Sequence, residues 1–410
     1  QRVFTMGTNL VPTDAFPSRH NNYMQRQLDM IKDLNCNIVR CWGGNVYPDD
    51  DFYDYCDQNG ILVWQDFALA CGFYPEDQRM QNLFEQEAIA VVKKLRNHPS
   101  LALWSGDNEC DTIMQEWTTL RIDGNSYPQV NPNDNMLTRT ILKRVLRTED
   151  FARPYLPSSP YVDQEAFNNP DCETAEEHLW GPRDYFKGEY YGTSKCHFAS
   201  ETGYHGCPSP KSLQKFIPLD HINNYGDDKE CNDIYWQTRA SSMEPDVKGA
   251  IYSYRISLMS QQIKRIFNSI PDNINDFAIQ SQISQGEAKK YFIERFRINK
   301  GKKNGIIWWN LIDGWPQISD AVVDWYGTKK LAYHYIKNSQ QSFCMMMDEP
   351  KDNKLTLFAV NDTQKTVDVC YTVKELSTNK VVLTDKISVE ANLSKQIALT
   401  DEIKGGFYLI

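Results

Sequence analysis

The alternation of short apolar segments with longer helical segments constrains the fold of this sequence most strongly. Segments such as Tyr23–Leu34, Asp50–Gln58 and Met80–Arg96 have the apolar spacing of helices. Eight short apolar segments alternate with helical stretches: Val3–Leu10, Asn37–Trp42, Ile61–Phe67, Leu101–Ser105, Tyr155–Ser158, Glu177–Trp180, His197–Glu201 and Gly305–Leu311. This alternation predicts an α/β protein with a parallel sheet, for which a (β/α)8 TIM barrel is the simplest architecture. A doubly wound open sheet is the alternative, although no G-x-G-x-x-G motif follows the first strand.

The pattern changes after Gln340. Lys354–Asn361 and Val367–Leu376 alternate apolar and polar residues, and Gly, Asn and Asp are frequent between such segments. A period of two is typical of strands that are buried on one face. We therefore predict two domains, a barrel over residues 1–338 and a small, incomplete immunoglobulin-like β-sandwich over residues 339–410.

Polar and aromatic side chains are concentrated where the predicted barrel strands end. In a barrel, the carboxyl ends of the strands meet at one face, and active sites lie there. The residues at these ends are Asn9, Arg40, Trp42, Asp66, Asn108, Glu109, His178, Trp180, Glu201, Asp313 and Trp315. A barrel with a purely structural role would not need so many carboxylates, amides and tryptophans at one rim, so this pattern indicates an active site.

Two glutamates in this set point to one class of chemistry. Glu109 follows the fourth predicted strand and Glu201 ends the seventh, so the two side chains can face each other across the barrel. Cleavage of a glycosidic bond needs such a pair, because one carboxyl group protonates the leaving oxygen while the other attacks the anomeric carbon. Either glutamate taken alone could equally be an exposed residue at a loop end or one half of an ion pair.

Motifs along the chain resemble those of the catalytic barrel of family-two glycoside hydrolases of the β-mannosidase type. The matching segments are Gly7–Arg19, Val39–Gly44, Leu62–Phe67, His98–Trp104, Gly106–Glu109, Ala199–Tyr204, Trp309–Pro316 and Lys330–Tyr335. Together they cover about residues 5–336 in one register. The resemblance implies a retaining exo-β-glycosidase that acts on terminal β-linked sugars, with β-mannosides as the expected substrates.

The resemblance also implies roles for single residues. Glu201 would be the nucleophile and Glu109 the general acid/base, and Arg40 would pair with Glu201 and keep it ionised. Because a general acid must hold a proton near the working pH, we expect the pKa of Glu109 to be raised.

Five more residues are expected to bind the substrate. Asn108 would hydrogen-bond the 2-hydroxyl of the sugar, and Trp42 and Asp66 would line the subsite of the terminal sugar. Trp180 and Trp315 are further candidates for contact with sugar rings, whose apolar faces stack on aromatic side chains. For each tryptophan, ordinary core packing is the alternative.

The sequence departs from the usual family pattern at three places. Asp107 and Ile312 each stand where the family often has Asn, and the segment 178–185 lacks the Tyr-rich character typical of β-mannosidases. A β-galactosidase, β-glucuronidase or exo-β-glucosaminidase of the same family is therefore an alternative. A carbohydrate-binding barrel without turnover is the alternative outside enzymes.

Charge and composition argue against several other functions. The formal net charge of −10 and the lack of Lys/Arg-rich runs do not favour nucleic-acid binding. No run of about 18 apolar residues is present, so no membrane span is predicted. The histidines have no metal-ligand spacing, and the expected chemistry needs neither a metal nor another cofactor. The eleven cysteines contain no C-x-x-C pair, and we interpret most of them as buried thiols.

The expected partner is an oligosaccharide or other glycoside. The sequence begins at Gln1 directly before the first predicted strand. Family-two enzymes usually carry sugar-binding and immunoglobulin-like domains before the barrel, so we expect such domains to be missing from this chain. The family resemblance also suggests a periplasmic or extracellular location.

Overall fold

A computed structural model gives the structure of this protein and describes residues 2–116, 130–240, 254–401, 406 and 408–410. An eight-stranded parallel sheet forms its larger part, in the order β5-β4-β3-β2-β1-β8-β7-β6. The strands are β1 Thr5–Leu10, β2 Ile38–Cys41, β3 Leu62–Asp66, β4 Leu101–Ser105, β5 Tyr155–Leu156, β6 Glu176–Leu179, β7 Phe198–Thr202 and β8 Gly305–Trp308. Because β1 pairs with both β2 and β8, the sheet curls into the predicted TIM barrel.

Helices connect the strands and pack outside the sheet. They are α1 His20–Asp33, α2 Asp50–Asn59, α3 Gln78–Leu95, α4 Cys110–Glu116, α5 Lys143–Glu149, α6 Gln164–Asn168, α7 Glu189–Thr193, α8 Pro210–Leu213, α9 Ile234–Gln237, α10 Arg255–Phe267, α11 Ile274–Ile298 and α12 Leu331–Ser339. Local sequence fixes several of their ends. The Asp77 carboxylate accepts from Met80 N at the start of α3, and α2 ends at Gly60, whose φ of 66° lies in the left-handed region.

The barrel interior has an apolar lower layer and a polar upper layer. Ile38, Trp64 and Ile307 form a buried apolar cluster at the level of the lower layer. Arg40 and Asp66 follow Ile38 and Trp64 by two residues, so they point to the same side of the sheet, closer to the carboxyl ends of the strands. The period of two therefore puts charged groups directly above a closed apolar floor.

One junction in the barrel wall is closed by a side chain rather than by backbone pairing. Among the described residues no ladder joins β5 to β6. The buried carboxylate of Glu176 accepts from Tyr161 N at 2.7 Å and from Ser159 Oγ at 3.1 Å, both just after β5. It also accepts from Ser200 Oγ of β7. We call this junction, formed by residues 155–162 and 174–179, the seam.

Two small antiparallel sheets follow the barrel. Their strands are β9 Phe343–Met347, β10 Lys354–Asn361, β11 Val367–Glu375, β12 Lys380–Val389, β13 Leu393–Asp401 and β14 Tyr408–Leu409. The sheet orders are β13-β10-β9 and β12-β11-β14. Leu357 of the first sheet packs with Tyr371 and Val373 of the second, so the two sheets form a small sandwich, as predicted. The predicted boundary between residues 338 and 339 stays a proposal.

The connection before α5 differs from its prediction. The sequence predicts one helix over Asn133–Leu146, whereas the structure has a π-helix over Leu137–Leu142 that leads into α5. The hydroxyl of Tyr155 donates to Thr138 O at 2.7 Å within this segment. A side chain that donates a hydrogen bond to a backbone carbonyl of a helix favours a widened turn at that point. The spacing of apolar residues does not reveal such a contact.

Candidate active site

The carboxyl ends of the strands surround one cleft of about 1180 Å³. Residues on its wall include Trp42, Cys71, Asn108, Glu109, Tyr161, His178, Trp180, Arg183, Glu201, Asn310, Trp315 and Asp320. They follow or end β2, β3, β4, β5, β6, β7 and β8, so nearly every strand contributes. Six of the eight residues that the sequence singles out as catalytic or substrate-binding lie on this wall, and the other two, Arg40 and Asp66, lie beneath it.

Glu109 and Glu201 face each other inside this cleft. Each offers a carboxylate oxygen to Nδ1 of His178 at 2.9 Å, and these three atoms lie within 4.8 Å of one another. Glu201 lies near the end of the buried strand β7. Glu109 follows β4, and its backbone φ is 59°. Backbone contacts hold Glu109 there, since its N–H donates to Ser159 O at 2.8 Å. A left-handed conformation at a non-glycine residue costs free energy and often occurs at functional sites.

His178 connects the two carboxylates electrostatically. Its ring is buried, which lowers its pKa, but the charge of Glu201 and the hydrogen bonds that the ring donates to both glutamates raise the pKa to about 9. Its Nε2 lies 3.2 Å from Ser159 Oγ and 3.3 Å from Arg40 Nη1. A protonated ring donates to Ser159 there, whereas a neutral ring accepts from Arg40.

The pKa of Glu109 is lowered, which corrects the expectation of a raised value. Burial raises this pKa, but the hydrogen bond and positive charge of His178 outweigh burial, with smaller help from the thiol of Cys71 and from Arg40. These pKa shifts favour a proton on His178 rather than on Glu109. Sequence patterns cannot show this, because it depends on the position of one ring nitrogen between two strands.

Arg40 is fully buried and organises the floor of the site. Its guanidinium donates to Asp66 Oδ2 at 2.7 Å and to Asn108 Oδ1 at 2.8 Å. It also donates to Asn9 Oδ1 at 3.2 Å, while Nη1 lies 3.7 Å from Glu201 Oε1. The structure thus places Arg40 beside Glu201, but its closest ion pair is with Asp66.

Asp66 lies beneath the cleft and does not line it. Besides Arg40, its carboxylate accepts from Trp64 Nε1 at 2.9 Å and from Gly43 N at 3.0 Å, and only 1% of the residue is exposed. Burial raises its pKa to about 6, although Arg40 and Gly43 oppose this. The predicted place of Asp66 in the sugar subsite is therefore corrected: it fixes the orientation of Arg40, because its acceptors are already occupied.

Asn108 stands between Arg40 and the cleft. While its oxygen accepts from Arg40, its Nδ2 donates to Cys71 Sγ at 3.3 Å. The Cys71 thiol in turn donates to Glu109 Oε2 at 3.4 Å. Sequence reasoning did not single out Cys71, and the only signal was its position in the loop after β3.

The three tryptophans take different places around the cleft. Trp42 packs edge-on against Trp309, with ring centroids 5.2 Å apart. Trp180 donates from Nε1 to Glu201 Oε2 at 2.9 Å, so it contacts the predicted nucleophile directly. Trp315 is 37% exposed and stands at the edge of the cleft. Trp42 and Trp315 can offer aromatic faces to a sugar, whereas Trp180 also orients a carboxylate.

In the part of the chain that the structure describes, two groups of side chains have atoms close enough together to hold a metal ion. They are Glu109, His178 and Glu201, and the more exposed group Asp54, Asp57 and His98 near the lower end of the barrel. In the second group His98 Nδ1 lies 2.7 Å from Asp57 Oδ2, so a hydrogen bond explains its geometry. That the protein needs no metal stays a prediction.

The sequence and the fold of this chain match those of known proteins. A model of the family "Glycosyl hydrolases family 2, TIM barrel domain" matches residues 18–122. β-Mannosidase B of Thermothelomyces thermophilus is 30% identical over 82% of this chain and 39% of its own length. The chain belongs to glycosyl hydrolase family 2. Within this family it is β-mannosidase-like: β-mannosidase of Capra hircus is 26% identical over 91% of the chain and 42% of its own length.

Solved structures of other proteins also share the fold of this chain. The β-D-mannosidase of Dictyoglomus thermophilum has a TM-score of 0.81 and 28% identity, covering 97% of this chain and 46% of that one. The exo-chitosanase of Amycolatopsis orientalis, with a TM-score of 0.71 and 16% identity, shares the fold. The chain therefore spans less than half the length of these relatives. Within the described residues, every helix is too short or too polar to cross a membrane.

Proposed function

We propose that this chain hydrolyses the bond to a terminal β-linked sugar, with β-mannosides as substrates, by double displacement with retention. One observation carries the proposal: Glu109 and Glu201 place carboxylate oxygens within 4.8 Å of each other in the cleft. Retaining glycosidases hold their two carboxyl groups about 5–5.5 Å apart, which leaves no room for a water molecule between the sugar and the nucleophile.

In the first step, Glu201 attacks the anomeric carbon. The bond from this carbon to the leaving oxygen breaks, and the oxygen takes a proton from Glu109, so that a glycosyl ester of Glu201 and a free alcohol result. Trp180 and Arg40 support this step because Nε1 of Trp180 donates to the carboxylate of Glu201 and the positive charge of Arg40 lies 3.7 Å from it. A fixed donor set of this kind holds a nucleophile in position without reorganisation during the reaction.

The proton for this step reaches Glu109 from His178. Nδ1 of His178 donates to Glu109 Oε1 over 2.9 Å, which is a direct hydrogen bond. As charge develops on the leaving oxygen, the proton moves from His178 to Glu109 and from Glu109 to that oxygen. In the second step Glu109 removes a proton from water and returns it to His178, while the resulting hydroxide attacks the anomeric carbon and Glu201 leaves as a carboxylate.

The β-mannoside assignment rests on the relatives, and a panel of aryl glycosides tests it. We expect the rate on the β-mannoside to exceed that on the β-galactoside, β-glucuronide and β-glucosaminide. A β-galactoside rate more than about tenfold above the mannoside rate, a difference of ~1.4 kcal/mol in the barrier, would contradict the proposed substrate. Sugar binding by calorimetry without hydrolysis of any panel member would instead support a binding barrel.

The stereochemistry of the product tests the mechanism separately. NMR of the reaction mixture during the first turnovers shows which anomer forms before mutarotation. We expect the β-anomer, because two inversions at one carbon give net retention. The α-anomer as first product would exclude the covalent intermediate on Glu201 while leaving the hydrolase assignment in place.

A further inference from the structure

Asp320 is a buried carboxylate on the cleft wall that the proposed mechanism does not use. It follows β8, is 3% exposed and lines the cleft. The loop is fixed at this point, since Gln285 Nε2 donates to the backbone oxygen of Asp320 at 2.9 Å. The backbone of the loop therefore has a defined position at Asp320.

Among the described residues, Oδ1 of Asp320 has no hydrogen-bond partner. His205 Nδ1 lies 3.4 Å away, but the two atoms do not form a hydrogen bond. Burial lowers the pKa of His205 to about 3, so its ring is neutral and forms no ion pair. A buried carboxylate oxygen without a hydrogen bond is costly, and such atoms commonly receive their partner from a ligand.

The surroundings of Asp320 determine which ligand group fits. Burial raises the pKa of Asp320, whereas positive charges on its neighbours lower it. Because the ring of His205 is neutral, Arg183 is the foremost of these neighbours and favours the ionised carboxylate. The guanidinium of Arg183 repels an ammonium group, and the carboxylate itself repels an anion. A neutral hydroxyl, which donates one hydrogen bond, satisfies the carboxylate without adding charge.

Asp320 also lies close to the reacting groups. A Cβ on Gly203 would lie 3.0 Å from Asp320 Oδ1 and 2.4 Å from the ring of Trp180, so both side chains reach the same backbone position. Trp180 holds Glu201, and the guanidinium of Arg183 stacks 4.0 Å from the Trp180 ring. Nη1 of Arg183 has no hydrogen-bond partner among the described residues either. A hydroxyl there could donate to Asp320 and accept from Arg183.

We propose that Asp320, together with Arg183, binds a hydroxyl at C4 or C6 of the terminal sugar and so selects the sugar that is hydrolysed. This rests on the proposed function. Asp320 follows β8, which lies across an eight-stranded barrel from β4, where Asn108 and Glu109 begin the loop. With the anomeric carbon held by the glutamates and Asn108 on the side of C2, the far side of the ring reaches Asp320.

The test compares Asp320→Asn with wild-type full-length protein on dinitrophenyl β-mannoside and its 2-, 4- and 6-deoxy analogues. We expect kcat/KM on the parent to fall by roughly 10- to 150-fold, the range for a hydrogen bond to a charged group. For either the 4-deoxy or the 6-deoxy substrate, whichever lacks the bound hydroxyl, the substitution should change kcat/KM by less than about threefold. The 2-deoxy substrate should show the full loss.

Asp324→Asn is the matched control. Asp324 is equally buried in the same loop, but it caps the loop by accepting from Thr328 N at 2.9 Å and does not line the cleft. For this variant we expect the same kcat/KM on each of the four substrates as for the wild type. Arg183→Met provides a second variant in case Asp320→Asn fails to fold, and it should show the same selective pattern.

Equal losses on all deoxy substrates for both variants would overturn the proposal, since a structural role would not distinguish hydroxyls. If the wild type hydrolyses none of the glycosides, the proposed function fails, but binding still decides this inference. NMR titration with methyl β-mannoside and its deoxy analogues then replaces kinetics. Loss of one hydroxyl must weaken binding to the wild type and leave binding to Asp320→Asn unchanged, and additive losses would refute the assignment.

Discussion

At the residue scale, the decisive contact is a single imidazole nitrogen between two carboxylates. His178 Nδ1 lies 2.9 Å from an oxygen of Glu109 and from an oxygen of Glu201. Because the charge of Glu201 is the largest influence that raises the pKa of His178, removing that charge should release the proton. We expect an NMR titration of the His178 ring to give a pKa near 9 in the wild type and a clearly lower value in Glu201→Gln. An unchanged titration in this variant would contradict the assigned contact.

The same pKa predicts how stability depends on pH. The ordinary pKa of His178 is 6.5, and its folded value is about 9, so the protonated ring stabilises the fold fully below pH 6.5. This stabilisation, on the order of 3 kcal/mol at most, should disappear as the pH rises through 9. Urea denaturation of wild type and His178→Gln at several pH values measures it. The difference between them should shrink with rising pH, and a constant difference would refute the prediction.

The two glutamates should respond differently to substitution. Glu201→Ala should abolish turnover of every substrate, because it removes the nucleophile. Glu109→Ala should lose most activity on glycosides with poor leaving groups yet still form the glycosyl ester from a dinitrophenyl glycoside, which needs no proton. Added azide should then release a β-glycosyl azide from Glu109→Ala, detectable by mass spectrometry and NMR. Rescue of Glu201→Ala by azide with inverted product would mean that the roles are exchanged.

The sequence predicts which residues lie at the ends of the barrel strands, but it does not predict which of their side chains contact one another. Glu109 and Glu201 could be found because their strands are adjacent to diagnostic motifs. The role of Asp66 could not be found in this way. The strand pattern shows that its side chain points inward, but it does not show that Arg40 donates hydrogen bonds to its carboxylate. Cys71 and Asp320 lie in loops, where no periodicity predicts the direction of a side chain.

At the scale of elements, the seam depends on one carboxylate. Glu176 accepts hydrogen bonds from Tyr161 N, Ser159 Oγ and Ser200 Oγ, and so connects β5, β6 and β7. Glu176→Ala leaves these buried donors without an acceptor, which should cost about 2–4 kcal/mol of unfolding free energy. Urea denaturation followed by far-UV circular dichroism measures this loss.

Glu177→Ala is the control for this prediction. Glu177 is the next residue in β6, and its carboxylate accepts from Thr174 Oγ1 at 2.8 Å. It takes no part in the contacts to β5, so its substitution should cost less than about 1 kcal/mol. Similar losses in the two variants would show that the seam does not depend on Glu176.

The elements themselves were largely accessible from sequence. Seven of the barrel strands contain at least four residues, and most of these strands are rich in apolar residues, although β6 is not. β5 has only Tyr155–Leu156, and the π-helix before it arises from a contact with Tyr155 that is distant in sequence. Short strands and irregular turns depend on contacts with residues that are distant in sequence, and local sequence patterns do not show these contacts.

At the scale of the whole molecule, one buried arginine connects the barrel to the sandwich. Arg297, at the end of α11, donates to Asp362 Oδ2 at 2.7 Å, and Lys300 donates to Asp362 Oδ1 at 2.5 Å. Asp362→Ala leaves the buried charge of Arg297 without its counter-ion, which should cost roughly 3 kcal/mol. Calorimetry should show a lower Tm, whereas Asp368→Ala, an exposed position on β11, should leave Tm unchanged.

The seam has a consequence for the order in which products leave. Residues on both of its edges, among them Tyr161 and Glu177, also line the cleft, so the cleft extends sideways toward the barrel wall. Glu109 lies on that side and Asp320 on the other. On the proposed mechanism, the alcohol formed in the first step lies on the Glu109 side, so it would leave the cleft past the seam residues while the sugar remains attached to Glu201.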